Sequence, residues 1–138
     1  MKKVLVIEND QVVLVLISHI LSRQSYVVHA TSDAFEADRL LQDGPYDAIL
    51  LDLKMPHGGV ELIRKIAERD PEMLKKVIVV TGAILETQAF ADMPLHATIK
   101  KPFEVASLVE AVRRCVESSD RETEDRGPRT EDRAGGGS

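Results

Sequence analysis

Short apolar runs alternate with longer stretches of helical period through most of this chain. Residues 3–7, 26–30, 48–51, 77–80 and 97–99 read as strands, and residues 11–25, 32–42, 58–70, 85–91 and 104–117 as the helices between and after them. The runs around Leu5, Ile49 and Ile78 are continuously apolar, the pattern of central parallel strands covered on both faces, whereas the second and fifth runs are more mixed. Asp10 and Ser32 stand where N-caps belong, and Gly44-Pro45 punctuates the end of the second helix. In the last helix Val105, Leu108, Val109, Val112 and Val116 recur at helical spacing and make one apolar stripe. Parallel strands joined by right-handed helical crossovers predict a doubly wound, three-layer α/β sandwich. Its functional groups should lie beyond the carboxyl ends of the strands.

The pattern changes near Ser118. From there the chain reads SSDRETEDRGPRTEDRAGGGS, with no aliphatic side chain larger than alanine and with acids alternating with arginine, so this segment cannot build a core. The chain therefore divides into a folded domain, residues 1–118, and a polar flexible tail or linker, residues 119–138, whose final Gly-Gly-Gly-Ser is either native linker or an appended one. A domain of about 120 residues buries roughly two-thirds of its unfolded surface and needs no metal or disulfide to fold. The single Cys115 makes no internal disulfide and reads as an inert core thiol in a cytoplasmic protein. Eighteen Lys and Arg against 23 Asp and Glu, scattered rather than clustered, argue against direct nucleic-acid binding. The longest apolar run, Val12 to Ile17, has six residues. That is far short of the roughly 20 needed to cross a bilayer.

At the predicted strand ends stand Glu8, Asn9 and Asp10, then Asp52, Thr81 and Lys101. Gathered carboxylates with open positions suit an oxygen-liganded Mg²⁺, and a lysine and a threonine beside them suit phosphoryl oxygens. The combination points to phosphoryl chemistry on a carboxylate. Each residue also has a plainer reading: Asp52 as a cap after a strand, Thr81 as a strand-end hydroxyl, Lys101 with Lys100 as a solvated charge pair. His19, His29, His57 and His96 lack paired ligand spacing and read as surface or edge residues.

The motifs VLVIEND, YDAILLDLKMP, VIVVTGA and IKKPF, in that order and each at the end of a predicted strand, resemble the receiver domain of bacterial two-component response regulators. The resemblance runs from Lys2 to about Val116. It implies a flavodoxin-like (βα)5 fold with strand order 2-1-3-4-5. It also implies that Asp52 accepts a phosphoryl group from a phosphohistidine on a histidine kinase or histidine phosphotransfer protein. By the same analogy Mg²⁺ would be held by Glu8, Asn9, Asp52, the carbonyl of Lys54 and, as a further candidate, Asp10. Lys101 and Thr81 would contact phosphoryl oxygens, with the backbone at Leu53 and Gly82 approaching them, and Lys101-Pro102 would be a cis peptide.

The chain departs from the family pattern in several places. The usual acidic pair after the first strand is Glu8-Asn9, which leaves fewer charges facing the metal. Thr98 stands where many receivers carry an aromatic switch residue, and Pro94 interrupts a segment that predicts a short or irregular fourth helix. Lys54 and Ala83 occupy the positions that in the family set phosphoryl lifetime. Val12, Leu14, Val15 and Leu16 add apolar residues to the first helix beyond its core-facing set. They are either scattered surface apolarity or a docking face for a partner helix or a second copy.

Three functions are compatible with these residues. The first is a signalling switch, not a turnover enzyme, that alters its contacts with a downstream protein when Asp52 is phosphorylated. The second is a receiver-like interaction module that is not phosphorylated, motivated by Asn9 and Thr98. The third is an aspartyl-nucleophile phosphatase of the haloacid dehalogenase kind. It is disfavoured because that nucleophile follows the first strand in an Asp-x-Asp pattern.

Overall fold

The computed structural model describes residues 1–55, 58–82 and 84–126, so His57, Ala83 and the tail from residue 127 lie outside the described residues. Its order is β1 (Lys3–Ile7), α1 (Gln11–Ser22), β2 (Val27–Thr31), α2 (Ala34–Asp43), β3 (Ala48–Leu51), α3 (Gly59–Arg69), β4 (Val77–Thr81), β5 (Ala97–Lys100) and α4 (Val105–Arg126). Two 3₁₀ segments, Pro71–Lys76 and Ile84–Phe90, flank β4. The five strands are all parallel, in the order β2-β1-β3-β4-β5.

Strand period explains how one sheet carries two cores. Successive side chains point to opposite faces. Leu5, Ile7, Ile49, Leu51, Val77 and Val79 therefore pack against Ala37 and Leu41 of α2 and Leu62, Ile63 and Ile66 of α3. Val4, Val6, Ala48, Leu50, Ile78 and Val80 pack against Ile17 and Leu21 of α1 and Leu108, Val112 and Val116 of α4. The central strands β3 and β4 are buried along their whole length, while β2 and β5, at the edges, are only partly covered. This is the three-layer arrangement that the apolar runs predict. Cys115 is a buried core thiol, its Sγ within 3.5 Å of the Lys76 carbonyl oxygen. Among the described residues no helix is long and apolar enough to cross a membrane.

Several element boundaries differ from the sequence reading. Helix α1 stops at Ser22, because the chain then turns and Ser25 takes a left-handed φ of 68°. Asp33, not Ser32, caps α2: its carboxylate accepts from the Phe35 N–H, and its own N–H donates to the Thr31 hydroxyl at the end of the extended β2. The fourth helix is the 3₁₀ segment Ile84–Phe90, in keeping with the short or irregular helix expected there. Helix α4 runs to Arg126 rather than ending near Glu117. Ser119 and Asp120, read as the start of the tail, are helical and anchored: the Ser119 hydroxyl donates to Asp47 Oδ1 at 3.4 Å, and Asp120 pairs with Lys2.

Candidate functional site

Parallel register places four candidate residues, Glu8, Asp52, Thr81 and Lys101, along one edge of the sheet. Ile7 aligns with Thr31 and Leu51, and Thr81 with Lys100, so the strands end nearly level. The ladder then extends by one residue past the strands: Glu8 N–H donates to Thr31 O at 3.1 Å, Asp52 N–H to Ile7 O at 3.0 Å and Lys101 N–H to Thr81 O at 3.0 Å. Glu8, Asp52 and Lys101 are thus each held by the neighbouring strand's last carbonyl rather than by a free loop. The Lys101-Pro102 peptide is cis, as the resemblance implies.

The side chains converge in a small bay. Lys101 Nζ lies 2.8 Å from Glu8 Oε1 and 3.5 Å from Asp52 Oδ2. Glu8 Oε2 accepts from the Asp10 N–H at 3.0 Å, and Asp52 Oδ1 accepts from the Lys54 N–H at 3.0 Å. Glu8 and Asp52 are 1% and 5% exposed, burial that carboxylates tolerate only when paired. Burial pushes the Glu8 carboxyl above the usual glutamate range. The Lys101 ammonium and the Asp10 N–H pull it back, and the Asp52 charge beside it pushes it up again. Thr81 is fully buried at the end of β4, and Gly82 after it is exposed, with nothing within 4 Å of where a Cβ would stand.

Three of the predicted residues, Glu8, Asp52 and Lys101, meet directly. Asn9 is exposed, and Lys54 reaches the site through its backbone. Asp10 is otherwise engaged. Its Oδ1 accepts from the N–H groups of Val12 at 2.9 Å and Val13 at 3.3 Å, so it is the N-cap of α1, as its place in the sequence also predicts. Asp10→Ala should lower stability by about 1 kcal/mol, the usual value of such a cap, read as a shift in the urea midpoint by circular dichroism. A shift near zero would mean the cap contributes nothing.

The two carboxylates that meet in the bay, Glu8 and Asp52, offer oxygens, which is the chemistry a hard divalent cation takes. Among the described residues, no three His, Cys, Asp or Glu side chains gather as a metal-holding group, because Asn9 replaces one acid and Asp10 caps a helix. The site is therefore compatible with Mg²⁺ but poor in charge.

Gly59 was not singled out by the sequence, although it matters here. A Cβ at Gly59 would stand 2.5 Å from the Leu53 carbonyl oxygen and 2.7 Å from its carbonyl carbon, so only glycine lets α3 begin this close to the residue after Asp52. The only local signal was the Gly58-Gly59 pair after LKMP. A second feature borders the bay. Val13, Leu16, Pro102, Phe103 and Val105 line a groove of about 390 Å³ beside Lys101. Val12, Val15, Leu16 and Val105 are exposed around it, whereas Leu14 is buried in the core.

Residues 4–113 match the family model of the response regulator receiver domain. The response regulator receiver protein CpdR of Brucella abortus (strain 2308) is 30% identical over 119 residues, an alignment covering 84% of this chain and 98% of CpdR. The DNA-binding transcriptional regulator NtrC of Azospirillum brasilense is 26% identical, but the match spans only 24% of its length and 84% of this chain. Among solved structures, a CheY-like response regulator receiver domain protein from Methanospirillum hungatei JF-1 superposes with a TM-score of 0.79 at 29% identity, covering 88% of this chain and 98% of that one. The receiver domain of a sensor histidine kinase from Pseudomonas aeruginosa PAO1, with magnesium coordinated in its active-site cleft, superposes with a TM-score of 0.74 at 24% identity, covering 84% and 98% of the two chains.

Proposed function

Because this chain belongs to the response regulator receiver domain family, we propose that it is a phosphoacceptor switch in which Asp52 takes a phosphoryl group from a phosphohistidine. One observation carries the reading: a buried acceptor carboxylate and a lysine ammonium meet at the carboxyl edge of the sheet, with one carboxylate oxygen tied to a backbone N–H and the other facing the ammonium. Asp52 Oδ1 is held by the Lys54 N–H, which fixes the carboxylate plane and leaves Oδ2 as the nucleophile. Oδ2 forms the new O–P bond while the P–N bond of the donor breaks and its electron pair returns to the imidazole nitrogen.

The chain's own groups then stabilise the transferred phosphoryl. Lys101 leans from the carboxylates towards a phosphoryl oxygen as a point charge. Thr81 turns its hydroxyl to a second oxygen, and the backbone N–H groups at Leu53 and Gly82 offer further donors, the open space at Gly82 leaving room for approach. Glu8, Asp52, the Lys54 carbonyl and the Asn9 amide oxygen would hold Mg²⁺, with Asp10 a weaker candidate because its Oδ1 serves the cap. When bound, Mg²⁺ supplies positive charge against the phosphoryl oxygens.

The donor would be a histidine kinase or histidine phosphotransfer protein resting on the exposed apolar residues Val12, Val15 and Leu16 of α1, beside the bay. Output would pass to a downstream protein or a second copy of this chain. The protein is a regulatory domain, and its chemistry would be limited to its own phosphorylation and dephosphorylation in a cytoplasmic setting.

A second reading, an interaction module that is never phosphorylated, is favoured by the neutral Asn9 and by a lysine already paired with Glu8. Intact mass separates the two. With acetyl phosphate and Mg²⁺ the protein should gain about 80 Da, one phosphoryl group, and EDTA should suppress the gain. No gain with acetyl phosphate or with any phosphohistidine donor would leave the module reading standing.

A further inference from the structure

We propose that β2, the outer strand on one side of the sheet, pairs antiparallel with β2 of a second copy of this chain, the two copies meeting about a two-fold axis at His29. The pairing joins two five-stranded sheets into one. It is an isologous contact, each copy offering the same strand. Because it uses the side of the sheet rather than the carboxyl edge, it stands apart from the reading of Asp52 as a phosphoacceptor.

The backbone along this edge decides the register. The Val27 N–H donates to the Lys2 carbonyl at 2.9 Å, the Thr31 carbonyl accepts from the Glu8 N–H at 3.1 Å, and between them β1 and β2 run parallel in unbroken register. In a parallel ladder, alternate residues of a strand turn both N–H and C=O towards the same neighbour. Val27, His29 and Thr31 therefore face β1. Val28 and Ala30 turn their N–H and C=O groups outward, where no strand of this chain stands. An antiparallel copy centred on His29 sets Val28 opposite Ala30 of the second copy, and Ala30 opposite its Val28, as hydrogen-bonded pairs. Every outward N–H of these two residues then meets an outward C=O.

The sheet has two outer strands, and only one of them is guarded. Open edges invite other chains to pair, and proteins blunt them with short strands, lysine, proline or bulges. β5 has four residues, ends in the exposed Lys100 and follows Pro94. β2 reads Val-Val-His-Ala-Thr over five residues, with no proline, lysine, arginine or acid and no break in its register. Self-pairing sets Val27 opposite Thr31, Val28 opposite Ala30 and His29 opposite itself, so no Lys, Arg, Asp or Glu meets its like. Ala30 is exposed and small, which leaves room for Val28 of the second copy. The flanks complement each other as well: exposed Arg23 lies before the strand and exposed Asp33 after it, and antiparallel pairing brings the Arg23 end of one copy to the Asp33 end of the other. This match of the strand to itself, in backbone, size and flanking charge, selects a second copy over an unrelated strand.

The interface is one short strand pair with its flanks, smaller than the roughly 1,200 Å² of a stable complex, so the dimer should be weak. Sedimentation velocity of the full chain should show dimer growing in between about 10 μM and 1 mM, the range of a weak association. Ala30→Pro removes an outward N–H and no bond to β1, which is where an edge strand tolerates proline. Symmetry removes that N–H twice, so association should weaken by about tenfold or more. Ala30→Lys adds at an exposed position the guard that β2 lacks, and should act in the same direction. Circular dichroism reports the fold of each variant. Oxidation with diamide then reads the register. Thiols at position 29 would face each other across the axis as a non-hydrogen-bonded pair, at a Cα separation of about 4.5 Å that a disulfide accepts. His29→Cys should give a covalent dimer on a non-reducing gel, and Ala30→Cys, which faces Val28 instead, about tenfold less of it. Native Cys115 is buried in the core and offers the oxidant no exposed thiol.

Concentration-dependent dimer in wild type, its loss in the folded position-30 variants and cross-linking concentrated in His29→Cys support the proposal. A chain that stays monomeric throughout the range overturns it. A dimer that Ala30→Pro and Ala30→Lys leave intact while folded overturns it too, because another face would then carry the contact. Equal cross-linking of His29→Cys and Ala30→Cys removes the two-fold at His29 and with it the stated pairing. None of these results depends on whether Asp52 gains a phosphoryl group.

Discussion

Asp52→Asn, incubated with acetyl phosphate and Mg²⁺, should gain no phosphoryl mass under conditions where wild type should gain about 80 Da. The amide keeps the size of the carboxylate and can still accept from the Lys54 N–H, but it has no anionic oxygen to attack phosphorus. The other carboxylate of the bay should not take over. Glu8 has both oxygens engaged, and burial raises its pKa, which works against the charged form a nucleophile needs. The loss should therefore be all or nothing rather than partial. Stability should move little, by about 1 kcal/mol or less, because the change removes one of two like charges that share a single ammonium. The thermal transition followed by circular dichroism checks that the variant is folded, since the chain has no tryptophan. A persistent gain in the folded variant would move the acceptor elsewhere and defeat the assignment.

Gly59→Ala should cost about 3 kcal/mol, at the upper end of what overpacking a tight site usually costs. The new methyl would stand 2.5 to 2.7 Å from three backbone atoms of Leu53, and backbone cannot rotate aside as a flexible side chain can. Relief requires either the first turn of α3 or the Leu53 peptide to move. Leu53 lies between Asp52 and Lys54, whose N–H fixes the Asp52 carboxylate. The variant should consequently fail twice, with a thermal midpoint about 10 °C lower and phosphorylation slower by about tenfold even well below that midpoint. Gly82→Ala is the matched control for stability. Its Cβ meets open space, and the change should stay within about 0.5 kcal/mol. Equal stability for the two alanine variants would mean that the Leu53 contact relaxes without cost.

Much of this was legible in the sequence, for a physical reason. Central parallel strands must be apolar on both faces, so the runs at β1, β3 and β4 mark themselves, and ligands of such sheets gather beyond the carboxyl ends. Asp52, Thr81 and Lys101 could be placed by counting to the end of each run. What sequence reading missed depends on contacts between distant residues. Ser32 and Asp33 are both competent caps, and the choice between them falls to the Thr31 hydroxyl, which receives the Asp33 N–H once β2 extends to residue 31. The end of α4 was misread because its anchors, Asp47 and Lys2, lie 72 and 118 residues away in the chain. The pairing of Lys101 with Glu8 belongs to the same class. Motif and spacing bring the two to one edge, but side-chain reach decides which carboxylate the ammonium chooses.

The full course of α4 has a mechanical consequence. Its first turn comes soon after Lys101 at the carboxyl edge of the sheet, and Ser119 and Asp120 reach Asp47 and Lys2 at the opposite edge, where β3 and β1 begin. Val105 to Ser119 at the rise of an α-helix spans about 21 Å. Leu108, Val112, Cys115 and Val116 fasten that length to the sheet. From Leu108 to Asp120 the helix is therefore a bolted strut, with its first turn near the carboxyl edge of the sheet and Asp120 beside the amino terminus. A movement of the Lys101 loop pushes on a stiff rod and not on a slack tether.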